Sequence, residues 1–397
     1  MHRFEVKKHD SKTKARLGTL TTPHGIVETP AYVVVGTHAE VRCLMPQDIT
    51  RSGTQMVISN TYHLWRTLGD ELQKFPGLHT KLGWDGVIMT DSGGFQVFSM
   101  GFAREHGIGK VGKVGLAKQE SRPNLVRITD DGAWFREMPD GPEFFLDAKL
   151  SIAIQEKLGA DIILAFDECT SPLHDKEYTR RALGRTHKWA RICLDVKTRD
   201  DQMLYGIVQG GAFEDLRKES AQFIGALPFD GFGIGGAFGS SFGDSKEASF
   251  KELGWVIPYL PENKPRHFLG MGRIDDLFLG VEAGIDTFDC VIPTREARHG
   301  GIWTLDGRYD IKRAKWLGND APLGEGCMCS ACGRWKVTRG SLCAQFKEKN
   351  PEAARAATIH NVFFFNNLMK KIRKAIIADT FTDFKKEILA RLNRAKL

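Results

Sequence analysis

Residues 284–300 read GIDTFDCVIPTREARHG, and this stretch decides which fold we expect for the rest of the chain. Its first half is rich in strand-forming apolar residues, among them Ile285, Phe288 and Ile292, and Pro293 is expected to end the strand. Residues 294–300 are predicted to form a short, mainly basic loop that suits phosphate groups. The sequence thus places a basic patch directly beyond the carboxyl end of a strand.

Two acids lie within the predicted strand, Asp286 near its start and Asp289 further in. Asp286 is compatible with a turn residue. Asp289 has apolar neighbours on both sides, and a carboxylate in such a place is costly to bury without a partner or a function. It is therefore either a functional acid or half of a buried ion pair with Arg295 or Arg298, and this stretch leaves both interpretations open.

Composition limits the classes of protein to be considered. The chain has 397 residues, 42% of them hydrophobic, which is enough for one barrel-sized domain or two ordinary ones. A net charge of +7 is compatible with an anionic partner. No apolar run reaches the length of a membrane span, and the polar N-terminus has no apolar signal region, so we expect a cytoplasmic protein with no membrane partner.

Strand-like and helix-like runs alternate over most of the chain. A hairpin with a Pro-His-Gly turn is expected at 16–36, and further strands are expected at 55–59, 87–90, 162–166, 204–208, 231–234 and 267–269. Helical spacing recurs at 147–158, 177–195 and 213–227. Such alternation without a long linker predicts an α/β fold, the (β/α)8 TIM barrel, with a doubly wound open sheet as the alternative.

Two basic segments stand apart from this pattern. Residues 101–124 are rich in Gly and Lys, and they are expected to form a flexible surface insertion or a basic arm that contacts nucleic acid. From residue 361 onward the chain is predicted to form two helices. The last of these, 382–397, is either a solvated helix face or an RNA contact.

The chemistry of a barrel of this kind lies where its strands end at their carboxyl side. The predicted ends carry Asp91, Asp167, Gln209, Gly235 and Asp289. One acid at a strand end is often a helix cap, but three acids and an amide are harder to explain in that way. They suit a planar ligand rich in hydrogen-bonding groups, such as a nucleobase.

A cysteine cluster points to a metal. Cys327, Cys329 and Cys332 form a C-x-C-x2-C run, and His360 follows further along the chain. Three thiolates and one imidazole make a tetrahedral zinc site without an open position, so we expect one structural Zn(2+) ion per chain. Cys343 is the rival fourth ligand, and unliganded core cysteines are the alternative to a metal site.

Long motifs of this chain resemble the tRNA-guanine transglycosylase, or queuine tRNA-ribosyltransferase, family, as a bacterial-type catalytic chain. They are RLGTLTTPHG at 16–25, SNTYHL at 59–64, TDSGGFQVFS at 90–99, AFDECT at 165–170, GIVQGG at 206–211, FDCVIPTREARHG at 288–300, and the cysteine run with its histidine. The resemblance covers nearly the whole chain. It implies a catalytic barrel with an N-terminal hairpin over 1–300, a zinc-binding subdomain over 301–362, and C-terminal helices packing on the barrel over 363–397.

The resemblance implies a reaction. Members exchange the wobble guanine of tRNAs with a GUN anticodon (those for Asp, Asn, His and Tyr) for a 7-deazaguanine base, in queuosine modification of tRNA. By motif match, Asp289 is the nucleophile that attacks the anomeric carbon of the ribose and expels guanine. Asp91 is the general acid/base. The covalent ribosyl ester is then resolved by the incoming base, as in a retaining glycosidase.

The resemblance also implies the binding residues. Asp167 would accept N–H groups from the Watson–Crick edge of guanine, Gln209 and the backbone of Gly236 would meet its carbonyl side, and Phe95 would stack on the ring of a splayed-out nucleotide. The residues implied for the base are Asp91, Ser92, Gly93, Gly94, Phe95, Asp167, Gln209 and Gly236. Those implied for tRNA are Gly270, Met271, Gly272, Arg273, Ile274, Asp275, Asp276, Thr294, Arg295, Glu296, Ala297 and Arg298.

The chain departs from the family's pattern at two places. Bacterial members that use 7-aminomethyl-7-deazaguanine carry Leu-Ala-Val-Gly-Glu after the paired glycines, whereas residues 237–241 here read AFGSS. The missing Glu and the space at Gly239 favour a bulkier base such as queuine, but Cys169 is the residue of the aminomethyl-using enzymes. Residues 338–344 replace a run that helps form the bacterial homodimer, while Trp335 is kept, so a homodimer and a monomer both stay open.

Two other classes of protein fit the sequence less well. A non-catalytic tRNA-binding paralogue, like the partner subunit of the eukaryotic heterodimer, would have no need of both Asp289 and Asp91. An unrelated zinc-stabilised barrel hydrolase would need histidine ligands at several strand ends, and the predicted ends carry none.

Overall fold

The structure is a computed structural model that describes residues 3–105, 125–235 and 246–394. Its strands are β1 Arg3–His9, β2 Arg16–Thr22, β3 Gly25–Thr29, β4 Ala31–Val35, β5 Met56–Ser59, β6 Val87–Thr90, β7 Val126–Ile128, β8 Ala133–Arg136, β9 Glu143–Leu146, β10 Ile162–Leu164, β11 Met203–Val208, β12 Gly231–Ile234, β13 Arg266–Phe268, β14 Thr287–Cys290, β15 Gly301–Thr304 and β16 Gly307–Asp310. Its α-helices are α1 Pro46–Arg51, α2 Thr61–Leu68, α3 Leu78–Leu82, α4 Gly94–Glu105, α5 Ala148–Leu158, α6 Lys176–Val196, α7 Glu214–Ala226, α8 Lys246–Val256, α9 Ile274–Glu282, α10 Ile292–Arg298, α11 Arg339–Lys347, α12 Pro351–Ile377 and α13 Phe381–Arg394.

Eight strands close into a barrel in the order β10-β11-β12-β13-β14-β4-β5-β6. The neighbouring pairs whose register is defined are parallel, for example β11 with β12 and β4 with β5. Every residue of β5 and β6 is buried, as expected for strands that are covered on both faces. The prediction of a TIM barrel is confirmed, and the doubly wound open sheet is excluded.

The predicted hairpin at 16–36 is correct only in its first part. Strands β2 and β3 pair antiparallel across the Pro-His-Gly turn. Pro30 then follows β3, and because proline has no N–H to donate, it interrupts the ladder at this point. The residues beyond it form β4, which leaves the hairpin and joins the barrel between β14 and β5.

The prediction for residues 284–300 is wrong in its second half. Strand β14 ends at Cys290, and the residues predicted to be a basic loop form helix α10, which starts at Ile292. Pro293 lies in the first turn of this helix. Proline is favoured there because the first N–H groups of a helix have no partner within it. Pro293 therefore belongs to a helix start and does not end the strand.

Two further predicted segments have different bounds in the structure. Helix α4 continues to Glu105, so residues 101–105 are helical and do not belong to a surface loop. Residues 106–124, the rest of the predicted insertion, lie outside the described residues. Helix α12 begins at Pro351, well before the predicted start at 361, with the Asn350 side chain accepting a hydrogen bond from Glu352 N.

The chain divides into two compact units. One contains Asn60–Leu78 and Ile88–Leu269, with strands β10 to β13 and the small antiparallel sheet β7-β8-β9. The other contains Arg3–Ser59, His79–Val87 and Gly270–Leu397, with the β1-β2-β3 sheet, β14, the β15–β16 hairpin and helices α9 to α13. The domain borders at 300 and 362 stay a prediction. None of the described helices is long and apolar enough to cross a membrane.

A buried ion pair anchors the hairpin beside the start of β14. Arg16 Nε donates to Asp286 Oδ1 at 3.0 Å, and its Nη2 donates to Asp286 Oδ2 at 2.5 Å. The two side chains are 1% and 0% exposed. Asp286 is therefore a buried partner of an arginine and not a turn residue, and the bidentate geometry satisfies both of its oxygens.

Removing the arginine should be strongly destabilising. Arg16→Met leaves the Asp286 carboxylate buried without its cation, which costs about 3–5 kcal/mol. The control is Arg181→Met, which breaks an exposed 2.6 Å pair with Glu177 and should cost at most about 0.5 kcal/mol. Urea unfolding measures both free energies, and equal losses in the two variants would contradict the structural role of the buried pair.

Candidate active site and metal site

Asp91 follows β6, and the donors to its carboxylate include Asn60, Thr61 and Gly93. Asn60 Nδ2 donates to Oδ2 at 2.5 Å, and the backbone N–H groups of Thr61 and Gly93 donate to Oδ1, each at 3.0 Å. Asn60 also caps helix α2 by accepting a hydrogen bond from His63 N. The half-buried acid is therefore held in one orientation by a helix N-terminus and by the turn that follows its own strand.

Asp167 is a buried carboxyl group with neutral partners. Ser92 Oγ donates to its Oδ1 at 3.3 Å, and Gln209 Nε2 donates to its Oδ2 at 2.7 Å. Within the described part of the chain, no Lys, Arg or His pairs with it. Burial raises the pKa of Asp167 to about 6, and its hydrogen bonds oppose this only in part.

Gln209 places a second hydrogen-bond acceptor beside this acid. Its Oε1 is buried and has no hydrogen-bond partner among the described residues. A Cβ at Gly235 would come within 2.5 Å of Gln209 Nε2, and a Cβ at Gly94 would come within 2.9 Å of the backbone oxygen of Asp167. A side chain at Gly94 would clash with the backbone, and one at Gly235 would displace the Gln209 amide. Glycine at both positions therefore keeps the acid and the amide in place for a ligand that donates N–H groups.

The structure brings most of the residues predicted for the base into one compact unit. Ser92 touches Asp167, Gly94 begins α4, and Phe95 in its first turn is 50% exposed, as a stacking residue must be. Gly236 and the unusual segment 237–241 lie outside the described residues, so their predicted roles stay predictions.

Asp289 lies in β14 and is half-buried. Its Oδ1 accepts a hydrogen bond from Gly270 N at 2.9 Å. The segment that begins with Gly270 packs closely against the end of β14, because a Cβ at Gly272 would lie 2.3 Å from Cys290 Cβ and 2.6 Å from Tyr32 Oη. This close approach brings a backbone donor to the acid.

Positive charge collects around helix α10. Burial, together with the neighbouring guanidinium groups of Arg42 and Arg295, lowers the pKa of Arg298. Like charges crowded in this way repel one another, and an anion such as a phosphate would relieve the repulsion. Arg42 was not singled out from the sequence, because it lies far along the chain from the 294–298 motif.

The residues predicted to contact tRNA differ in their exposure. Arg273, Ile274, Asp275 and Glu296 line a surface cavity of about 230 Å³. Gly270, Arg273 and Arg295 are exposed, and Asp275, Glu296 and Arg298 are half-buried. The buried members of the set are Met271, Gly272, Ile274, Asp276, Thr294 and Ala297. Of these, Asp276 has a role within the fold, because its Oδ2 accepts from Arg273 N at the start of α9.

The predicted metal ligands come together. The ligand atoms of Cys327, Cys329, Cys332 and His360 lie within 4.8 Å of one another. His360 Nδ1 is 3.4, 3.8 and 3.5 Å from the three sulfur atoms in that order. A tetrahedral zinc ion with ordinary bond lengths would separate a sulfur from a nitrogen ligand by about 3.5 Å. The four residues therefore fit a zinc-sized ion.

The contacts around the cluster support this assignment. His360 Nε2 lies 3.0 Å from the Trp303 carbonyl oxygen, the contact that orients a metal-binding imidazole. Contacts among the thiols lower the pKa of Cys327 and raise the pKa of Cys329. The rival ligand Cys343 is buried elsewhere, with its Sγ 3.6 Å from a backbone oxygen.

The residue after the metal ligand connects this site to helix α10. Asn361 is fully buried, and its Nδ2 donates to the carbonyl oxygens of Pro293 at 3.1 Å and Gly301 at 2.9 Å. Its Oδ1 accepts from Trp303 N at 3.0 Å. Two adjacent residues of α12 therefore serve the two features: His360 belongs to the metal cluster, and Asn361 bonds to the first turn of α10.

The metal set can be tested with a matched pair of cysteine variants. Cys329→Ser should lose the bound metal, because a hydroxyl group is a poor ligand for zinc, whereas Cys343→Ser should keep it. Elemental analysis of the purified proteins measures the metal per chain. Loss of metal from Cys343→Ser with retention by Cys329→Ser would contradict the ligand set.

The raised pKa of Asp167 predicts how stability depends on pH. The folded protein keeps the proton between pH 3.8 and about 6, where the unfolded chain has lost it, so this group lowers stability as pH rises through that range. Asp167→Asn should therefore be more stable than the original chain by about 2–3 kcal/mol at pH 8, with the gain vanishing near pH 4. Urea unfolding at both pH values checks this.

The control for that experiment is Asp140→Asn at an exposed position, which should change stability little at either pH. A gain in Asp167→Asn that does not depend on pH would show that desolvation of the carboxylate is not its cause.

Comparison with known proteins identifies the family. The family model described as Queuine tRNA-ribosyltransferase matches residues 10–394. Three of the relatives named queuine tRNA-ribosyltransferase illustrate the similarity. The one from Desulforamulus reducens is 40% identical over 98% of this chain and 99% of its own length, and the one from Symbiobacterium thermophilum is 41% identical over 98% and 91%. The one from Halothermothrix orenii is 40% identical over 99% of both chains. With the closed barrel and the Cys3His cluster in place, the chain belongs to the queuine tRNA-ribosyltransferase family of pentosyltransferases.

Proposed function

We propose that this enzyme exchanges the wobble guanine of tRNAs with a GUN anticodon for a 7-deazaguanine base, through a covalent aspartyl–ribose intermediate. The observation that carries the proposal is the placement of acids along the barrel in a chain of this family. Asp91 directly follows β6, Asp167 follows β10 closely, and Asp289 lies within β14. Acids at the carboxyl ends of barrel strands occupy the region where such folds perform their chemistry.

Asp289 is assigned the role of nucleophile. Its carboxylate attacks the anomeric carbon of the ribose, the bond to guanine breaks, and an ester forms between enzyme and sugar. Gly270 N donates to Oδ1 of this carboxylate and so helps to hold it in a defined orientation. Attack by the incoming base on the same carbon then breaks the ester and releases the carboxylate.

Asp91 is assigned the role of general acid/base. It gives a proton to the departing guanine and takes one from the incoming base, so the same group serves both half-reactions. The contacts from Asn60, Thr61 and Gly93 support this role, because a proton-transfer group must be held in a defined direction.

Asp167 and Gln209 are assigned to the base itself. The N–H groups on the Watson–Crick edge of guanine would bind the Asp167 carboxylate, which otherwise has neutral partners, and Gln209 with the backbone of Gly236 would meet the carbonyl side. Phe95 would stack on the exposed ring. Binding of this kind needs the ionised acid, so the affinity for the base should fall as pH drops through about 6.

The cations on α10 are assigned to the tRNA backbone. Arg295 and Arg298 crowd together with Arg42, and phosphates would neutralise them. Arg273, which is exposed at the start of α9, is assigned to the tRNA backbone as well. The expected partners are the tRNAs for Asp, Asn, His and Tyr.

The Cys3His cluster is assigned to one structural Zn(2+) ion per chain. Four protein ligands leave no open position, so the ion supplies folding stability and takes no part in the reaction. We also assign the enzyme to the cytoplasm, where its tRNA partner and reduced thiols are found. Its state as a homodimer or a monomer is a question for light scattering.

Guanine exchange is the direct test of this function. Labelled guanine should enter a tRNA with a GUN anticodon and should not enter the same tRNA with another wobble base. Asp91→Asn should lower the turnover rate at least about 100-fold, because proton transfer to and from the base is lost. The affinity for tRNA, measured separately, should stay within about threefold.

Two outcomes would contradict the proposal. Tight binding of tRNA without any exchange would indicate a non-catalytic paralogue, and full activity of Asp91→Asn would remove its assigned role. The same assay, run with 7-aminomethyl-7-deazaguanine and with queuine, decides the preferred base. Far more efficient use of the aminomethyl base would reject the enlarged pocket suggested by residues 237–241.

A further inference from the structure

Arg217 is a buried arginine that has no role in the proposed reaction. It lies on α7 and is 1% exposed. Its Nε donates to the carbonyl oxygen of Gly211 at 2.7 Å, and its Nη1 lies 2.6 Å from the carbonyl oxygen of Gly235 and 3.4 Å from that of Val208. One guanidinium group thus reaches three backbone oxygens.

These oxygens come from the ends of two neighbouring barrel strands. Val208 is the last residue of β11, and Gly235 directly follows β12. Gln209, which contacts Asp167, lies between Val208 and Gly211. Arg217 therefore holds the backbone on both sides of Gln209 and also the residue against which the Gln209 amide packs.

The charge of Arg217 has its own partner. Glu252 of α8 accepts from Nη2 at 3.2 Å, and its side chain is 10% exposed. Burial lowers the pKa of Arg217, and the Glu252 carboxylate opposes this effect. Replacing a buried ion pair by apolar residues of similar volume often leaves the stability of a protein unchanged or raises it. Its presence here calls for a role other than packing.

We propose that Arg217, oriented by Glu252, is a positioning residue that sets the affinity of the enzyme for the free base. It does so by fixing the backbone of Gln209 and Gly235, and it makes no contact with the base. The inference rests on the proposed function. It predicts that a cation alone is insufficient, because a lysine ammonium is a compact point charge that lacks the planar fork of donors needed to bridge the two strand ends.

The kinetic test uses Arg217→Lys in the full-length protein. The KM for guanine should rise at least about tenfold, while the KM for tRNA stays within about twofold and kcat within about threefold. The free base is held by the pocket alone, whereas tRNA is also held by contacts outside it. A purely structural defect would lower kcat through a smaller folded fraction and leave the KM for guanine unchanged.

Arg180→Lys is the matched control. Arg180 is exposed on α6 and pairs with Asp215 and Glu219 at the surface, so the same substitution there should leave all three constants unchanged. Glu252→Gln is the second variant. It keeps the volume of the side chain but removes the charge that orients Arg217, and it should raise the KM for guanine at least about threefold.

The outcomes separate the two proposals. Absence of guanine exchange in the unaltered protein would reject the proposed function. Exchange in the unaltered protein, with an unchanged KM for guanine in Arg217→Lys and in Glu252→Gln, would overturn the positioning role. If Arg217→Lys does not fold, Glu252→Gln decides alone: a raised KM for guanine supports the inference and an unchanged one rejects it.

Discussion

The base pocket depends on the burial of the Asp167 carboxyl group, which pairs with no cation among the residues that the structure describes. Ser92 and Gln209 offer it only neutral hydrogen bonds, so the group keeps a pKa near 6 and lowers the stability of the fold at neutral pH. A protein selected only for stability would place an apolar or amide group there. Two neighbouring features help to hold this pocket in place for a ligand. Gly235 leaves room for the Gln209 amide, and the buried Arg217 bonds to the Gly235 carbonyl oxygen.

In the other compact unit, the candidate metal site is connected to the helix that follows the proposed nucleophile. His360 and Asn361 are adjacent on α12. The first belongs to the Cys3His cluster, and the second bonds to the first turn of α10. Asp289 lies just before that helix, and the crowded cations lie on it. Binding of an ion at the cluster would therefore stabilise the helix that follows the proposed nucleophile, because ligand binding is folding free energy at such sites.

The sequence predicts the barrel well because its strands are short apolar runs separated by amphipathic helices, and such runs need no long-range information. It fails where one residue type has two uses. Pro293 can end a strand or begin a helix, and only the packing of α10 decides between them. The sequence leaves Asp286 compatible with a turn residue because its partner, Arg16, lies at the other end of the barrel sequence. Arg217 was overlooked because a single arginine on a helix carries no sign of burial. The three cysteines are recognisable from their C-x-C-x2-C spacing, but spacing leaves His360 and Cys343 as rival fourth ligands, and the structure brings His360 to the three sulfur atoms.

The central claim is that Asp289 forms a bond to the ribose, and mapping that bond by mass spectrometry tests it most directly. The enzyme is mixed with tRNA and 9-deazaguanine, denatured, and digested with protease and nuclease. We expect a ribose-linked peptide with the modification on Asp289, and no linked peptide from Asp289→Ala. A modification on another residue, or undiminished base exchange by Asp289→Ala, would contradict the account.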